Sequence, residues 1–222
     1  MPKTIEVTIY EFDELNDKAK EKARSHYCDH WMGDHWSESA IESAKQDGHH
    51  KHGFRVDEIR FRGFWSQGDG ASWCGAVDLK EWIEKTFNTT DKEHPLTQIV
   101  LALLDEGWIE NKIMVSYSTS HYCHENTMDV ASIDHYYAID DGSVMEMGMF
   151  KGANVYDLIQ MLNGNEGTIA TLQERLTNDC KDFAREIYNQ LEEDYESETS
   201  DERIAANYDA NEVYFYETGA IA

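Results

Sequence analysis

Residues 56–77 of this 222-residue chain, VDEIRFRGFWSQGDGASWCGAV, predict a β-hairpin. Apolar and charged side chains alternate over 56–65, which is typical of a strand. The glycine-containing stretch 66–70 can form a tight turn, and 71–77 then returns as the partner strand. We therefore expect an antiparallel pair of strands in this part of the chain.

Strand and helix patterns are interspersed along the rest of the sequence. Further strands are predicted at residues 5–10, 113–117, 128–137 and 213–216. Helices are predicted after the capping residues Asn16 and Asp78, and over residues 37–45 and 96–104. Because these elements are mixed rather than strictly alternating, we expect an α+β fold with a mainly antiparallel sheet and packed helices.

The C-terminal part of the chain contains the longest helical pattern. Apolar side chains recur every three or four residues from Leu172 to Tyr195, which predicts one buried stripe on a long acidic helix of about 28 residues. We expect residues 1–154 to form an α+β core. Residues 155–222 are expected to form an acidic helical lobe with a closing strand, as part of the same domain.

Composition excludes several classes of protein. The chain has 44 Asp and Glu against 19 Lys and Arg, a formal net charge of −25. This charge disfavours direct binding to nucleic acid, which requires clustered cations, and to anionic membranes. With 41% hydrophobic and 12% aromatic residues, the chain is expected to fold. The sequence shows neither a long apolar run nor paired cysteines, so we expect a cytoplasmic protein with reduced thiols.

The excess of negative charge is concentrated near the C-terminus. Residues 176–222 contain 13 acidic side chains and three cationic ones. Carboxylates along a helix that rises about 1.5 Å per residue can approach the charge spacing of duplex DNA, about 1.7 Å along its axis. We therefore predict a surface for a basic partner formed by Asp182, Glu186, Glu192, Glu193, Asp194, Glu196, Glu198, Asp201 and Glu202. The alternative is an ordinary solvated helix face.

A glycine turn between two tryptophans is a second candidate site. The polar residues of the turn could face a small pocket framed by the two indole rings. This candidate ligand loop consists of Trp65, Ser66, Gln67, Asp69 and Trp73. The alternative is a purely structural hairpin turn, in which the Asp69 side chain accepts hydrogen bonds from backbone amides.

The segment 121–125, HYCHE, is the densest group of potential metal ligands. His121, Cys123 and His124 could bind zinc through imidazole nitrogen and thiolate sulfur. The segment lacks the H-E-x-x-H spacing of a catalytic zinc site, and a polar loop at the end of a strand is the alternative. Our expectation is that the protein has no cofactor, with zinc as the one candidate.

Several short motifs resemble a family of phage-encoded acidic proteins, sometimes labelled antitoxin-like. The motifs are TIYEFDELN at 8–16, AKEKA at 19–23, GFWSQGDGAS at 63–72 and HENTM at 124–128, with SDE at 200–202. The resemblance implies an accessory protein that acts in the cytoplasm of the infected bacterial host. Acidic phage proteins of this kind often occupy the DNA or RNA groove of a host restriction, CRISPR or repair protein. The resemblance supplies no catalytic residue.

Three hypotheses for function follow. The first is a non-enzymatic protein that binds and inhibits a basic, nucleic-acid-binding host protein of defence or DNA processing, as a nucleic-acid mimic. The second is a metal-dependent enzyme or small-ligand binder that uses the 65–73 loop with His121, Cys123 and His124. The third is an antitoxin that binds one cognate toxin. The sequence leaves the oligomeric state open.

Overall fold

The computed structural model describes residues 6–87, 95–105, 107, 109–133 and 168–222. These residues form an α+β fold with one antiparallel sheet, as predicted. The helices are α1 (Asp17–His30), α2 (Glu38–Asp47), α3 (Leu79–Thr86), α4 (Pro95–Asp105), α5 (Thr168–Glu198) and α6 (Asp201–Ala210). The strands are β1 (Phe54–Arg62), β2 (Gly70–Asp78), β3 (Lys112–Tyr117) and β4 (Met128–Val130).

The sheet has the strand order β1-β2-β3-β4, with every neighbouring pair antiparallel. The predicted hairpin is confirmed as β1 and β2. The register shifts between Val56 and Glu58, and Gly75 lies opposite Val56 at this bulge. A Cβ atom on Gly75 would lie 2.0 Å from the carbonyl oxygen of Arg55, so the close approach of the two strands requires glycine here.

Helix caps follow the sequence prediction. The Asn16 side chain accepts a hydrogen bond from the amide of Ala19 and begins α1. Asp78 does the same for the amide of Glu81 at the start of α3. Both bonds satisfy amides that have no partner within the first helical turn. Between α2 and β1, residues Gly48–His52 form a π-helical turn.

Contacts divide the chain into two compact units. The terminal unit consists of Met1–Glu42 and Asn189–Ala222, and the central unit of Ser43–Tyr188. The division expected at residue 154 lies outside the described residues. The terminal unit instead combines both ends of the sequence, because residues of α1 pack against residues of α6.

Each unit has its own apolar core. The terminal core consists of Phe12, Leu15, Ala19, Ala23, Tyr27, Ile204, Tyr208 and Phe215. In the central unit, Phe54 and Trp73 from the sheet pack on Phe183 of α5, with ring centroids 5.5 and 5.8 Å from that of Phe183. The predicted apolar stripe of α5 is confirmed, since Leu176, Cys180, Phe183, Ile187 and Leu191 are all buried.

Two predicted strands are wrong. In the segments 5–10 and 213–216 the described residues form only isolated bridges, Tyr10 with Phe215 and Phe215 with Ile221. Val7 and Ile9 remain 56% and 45% exposed. The alternating pattern is present in the sequence, but the two segments pair at a single residue and no regular strand results.

Tyr208 links α6 to α1 and gives the terminal unit a predicted sensitivity to alkaline pH. Its hydroxyl donates a hydrogen bond to the carbonyl of Ala23 at 3.0 Å, and burial raises the pKa of Tyr208 to about 12. An unfolded tyrosine titrates near pH 10. Above that pH the unfolded chain binds fewer protons than the folded one, so the free energy of unfolding falls as pH rises towards 12.

Tyr208→Phe should therefore make this alkaline loss shallower, by at most about 1.4 kcal/mol per pH unit. Urea unfolding at a series of pH values from about 9 to 12 measures the slope. Tyr214→Phe is the matched control, because Tyr214 is 41% exposed. Equal slopes for Tyr208→Phe and the wild type would contradict the prediction.

Candidate functional site

The nine carboxylates predicted to face a basic partner fall into two groups. Three of them form ion pairs with arginine: Asp182 with Arg185, Glu198 with Arg203, and Asp201 with Arg24. Asp194 accepts a hydrogen bond from Gln190 at 3.0 Å. The remaining five form no ion pair within the described part of the chain, and they are Glu186, Glu192, Glu193, Glu196 and Glu202.

Asp201 has a structural role. Arg24 Nε and Nη2 donate to its two carboxylate oxygens at 2.6 and 2.8 Å, and this hydrogen bonding lowers the pKa of Asp201. Asp201 is also the first residue of α6, where a carboxylate interacts favourably with the helix dipole. This side chain connects α1 to α6 and is already satisfied, so it adds little charge for a partner.

Within the terminal unit, the last turns of α5 present unpaired carboxylates to solvent. Leu191 is fully buried and marks the core side of the helix. Successive residues rotate by about 100°, so Glu192, Glu193 and Glu196 lie about 100°, 200° and 140° away from it. Glu193 and Glu196 are exposed and Glu192 is partly exposed. We call these three residues the acidic face. Glu202 of α6 is also exposed.

The terminal unit is the more strongly charged of the two. By sequence it contains 20 acidic residues and six Lys or Arg, a formal charge of −14 over 76 residues. Three of those cations are already held, since Lys20 lies 3.8 Å from Asp13 and the two arginines Arg24 and Arg203 pair as described above. Local cations therefore neutralise only a small part of the negative charge.

Asp182 and Glu186 belong to the central unit and are described separately. Both are exposed on α5, away from the buried Phe183 and Ile187. Arg185 contacts Asp182 and lies 3.4 Å from Glu125, so it offsets part of the charge in this section of the helix. The surface around these two carboxylates therefore carries less net negative charge than the acidic face, which has no arginine paired to it among the described residues.

The structure does not bring the predicted ligand loop together. Trp73 is fully buried in β2, where its indole Nε1 donates to the carbonyl of Cys180 at 3.1 Å. Trp65 is 75% exposed in the turn, and Ser66 and Gln67 are exposed beside it. The two rings therefore do not frame a common pocket. The position of Trp73 in a strand, rather than at the end of the turn, is the physical reason.

Asp69 has the structural role that was the alternative for this loop. Its carboxylate accepts hydrogen bonds from the amides of Trp65 and Ser66 at 3.0 and 2.5 Å. These bonds close the turn between β1 and β2, as short aspartate side chains commonly do. The turn packs on Tyr122, in the segment after β3. The Tyr122 ring lies so close that a Cβ atom at Gly68 would not fit.

The three predicted zinc ligands have different environments. Cys123 is buried, His121 is exposed, and His124 Nδ1 accepts a hydrogen bond from the amide of Asn126 at 3.2 Å. His124 thereby begins the short 3-10 turn Glu125–Thr127. Across the described ranges, no three His, Cys, Asp or Glu side chains are grouped closely enough to hold a metal ion.

The terminal unit contains a cleft of about 280 Å³ that the sequence does not predict. Four carboxylates line it, those of Glu11, Asp13, Asp209 and Glu212. About 200 residues of sequence separate the first two from the last two. Each pair looks like an ordinary solvated turn on its own, so no local pattern could have indicated that they meet.

Comparison with known proteins places the chain in a family. No helix of the described segments is long and apolar enough to cross a bilayer. Neither the curated proteins nor the solved structures include a match to this chain. One family model, described as Domain of unknown function (DUF8835), matches residues 36–201, which is well over half of the sequence. The chain therefore belongs to the DUF8835 family.

Proposed function

We propose that this chain is a non-enzymatic, acidic phage accessory protein that binds a basic, nucleic-acid-binding protein of the bacterial host. Binding would take place in the host cytoplasm and inhibit a factor of defence or DNA processing. The phage origin rests on the resemblance of the GFWSQGDGAS motif, at 63–72, to phage-encoded acidic proteins. The charge of the chain supports the choice of partner.

The observation that carries the proposal is the acidic face. Glu192, Glu193 and Glu196 form no ion pair among the described residues, although the unit they belong to contains arginines. Like charges held this close destabilise the folded chain that carries them. Their presence is explained if they meet a cationic surface, which otherwise binds phosphates.

Occupation of a nucleic-acid groove requires carboxylates at a suitable spacing and on one side. The three glutamates of α5 lie within five successive residues, about 6 Å along the helix axis. Duplex DNA places about three to four phosphate charges over that length. The acidic face therefore offers a local charge density similar to that of the ligand it would replace.

Capture from host lysate tests the proposal. With the full chain as bait, a basic host protein should be retained at about 0.05 M salt and reduced roughly tenfold or more at about 0.5 M, because exposed charges are screened beyond a few ångströms at that concentration. Added duplex DNA should release the captured protein at low salt. Mass spectrometry of the eluate identifies the protein and gives its amount.

The competitor decides between the hypotheses. Release by DNA supports the nucleic-acid mimic hypothesis, since the acidic chain and the DNA then compete for one groove of the host protein. Retention of one partner regardless of DNA and salt would contradict the mimic and favour the antitoxin hypothesis. Capture of no basic protein at either salt concentration would reject the proposed function.

A further inference from the structure

The acidic cleft of the terminal unit is the strongest unexplained feature of the described structure. It lies between residues 11–13, which precede α1, and residues 205–214 of α6 and the segment after it. Its volume of about 280 Å³ is slightly below the roughly 300–1,000 Å³ of pockets for drug-sized ligands. A single long side chain is a better match for this volume than a larger cofactor.

The lining combines apolar and anionic groups. Phe12 and Tyr208 are 2% and 1% exposed and form the floor. Glu11, Asp209 and Glu212 are exposed and surround it. No lysine or arginine lines the cleft within the described residues. A ligand that is apolar along its stem and positively charged at its end is complementary to this arrangement.

A cation already lies close to the cleft. The ammonium nitrogen of Lys20 is 5.3 Å from the centroid of the Phe12 ring and 3.8 Å from Asp13 Oδ1. Both groups also line the cleft, although Lys20 itself does not. Lys20 therefore already contacts the Phe12 ring and Asp13, as in other cation–π pairs. The groups of the cleft that a ligand would meet are the Tyr214 ring and the carboxylates of Asp209 and Glu212.

We propose that this cleft is a receptor site for one arginine side chain of a basic protein partner. A guanidinium group is planar, donates several hydrogen bonds to carboxylates and stacks on aromatic rings more readily than an ammonium group. Tyr214, which is 41% exposed and lines the cleft, supplies an accessible ring for stacking. The partner's identity as a basic protein rests on the proposed function, whereas the arginine site does not.

Titration of ¹⁵N-labelled full-length protein with N-acetylarginine amide tests the site directly. This probe has one positive charge, on the guanidinium group. We expect saturable chemical-shift changes at the amides of Glu212, Val213 and Tyr214, with weaker binding of N-acetyllysine amide and no binding of the neutral isostere N-acetylcitrulline amide. Equal binding of the lysine or citrulline probe, or changes spread over the whole chain, would overturn the proposal.

Two variants separate a specific cleft from general charge. Asp209→Asn with Glu212→Gln should weaken arginine binding about five- to tenfold, because two exposed carboxylate contacts are lost. Glu6→Gln with Glu217→Gln is the matched control: both residues are exposed, neither lines the cleft, and the net charge changes equally. The control should bind like the wild type, and equal weakening in both variants would reject the site.

A third variant keeps the charge and fills the space. Ala206 is exposed on α6 and lines the cleft, so Ala206→Trp should block the arginine probe without loss of a core contact. Unchanged probe binding in this variant would overturn the proposal. The probe experiment needs no host protein, so the two proposals can fail separately. If the wild-type chain binds the arginine probe but captures no basic protein from lysate, only the proposed function is rejected. If it captures a basic protein but does not bind the probe, only the arginine site is rejected.

Discussion

Trp73→Ala should lower the free energy of unfolding by about 3–5 kcal/mol, the usual range for removal of a buried aromatic ring. Trp73 is fully buried, and its ring centroid lies 5.2 Å from that of Phe54 and 5.8 Å from that of Phe183. The substitution also removes the hydrogen bond from its indole to the carbonyl of Cys180. Urea unfolding followed by circular dichroism measures the loss.

Trp65→Ala is the matched control, since the same side chain is removed from the other end of the predicted ligand loop. Trp65 is 75% exposed, so its loss should change the free energy of unfolding by less than about 1 kcal/mol. Similar losses for both variants would contradict the different burial of the two side chains.

The elements best predicted from sequence are those specified by local chemistry. Asn16 and Asp78 cap helices through bonds to amides three residues away, and the apolar stripe of α5 repeats within one helix. The hairpin of β1 and β2 is also largely local, because Gly68 and Gly70 supply positive φ angles and the Asp69 carboxylate accepts hydrogen bonds from amides of the same turn. In each case the residues that determine the element lie within it.

The elements predicted wrongly depend on contacts between distant parts of the sequence. The segment 5–10 has the alternation of a strand, but Tyr10 pairs only with Phe215, about 200 residues later. Asp201 is predicted to face a partner, and its pairing with Arg24 across 177 residues adds a structural role that no local pattern indicates. Local pattern indicates which side chains are apolar or charged, but not which distant residue will meet them.

The same limit applies to the candidate sites. The sequence shows correctly that negative charge is concentrated near the C-terminus, because net charge is additive along a chain. It does not show which carboxylates pair with arginines of other helices. Glu198 of α5 pairs with Arg203 of α6, and Asp201 of α6 pairs with Arg24 of α1. The acidic cleft, assembled from residues 11–13 and 205–214, could be found only from the folded chain.

Charge reversal at the end of α5 should slow association with the captured host protein by about ten- to a hundredfold. The variant Glu192→Lys, Glu193→Lys, Asp194→Lys replaces three carboxylates of the terminal unit with ammonium groups. Long-range attraction acts mainly on the rate of encounter, so dissociation should change by less than about threefold. Surface plasmon resonance at about 0.1 M salt separates the two rates, and higher salt should reduce the difference between variant and wild type.

The control must change net charge equally at another place. Glu84, Glu110 and Glu174 are exposed in the central unit and form no ion pair among the described residues. Their triple replacement by lysine gives the same total charge as the α5 variant, so it should slow association by less than about threefold if the acidic face is the site of encounter. Equal slowing by both triple variants would mean that net charge alone attracts the partner. In that case the three glutamates of the acidic face are an ordinary solvated surface, and the mimic hypothesis loses its structural basis.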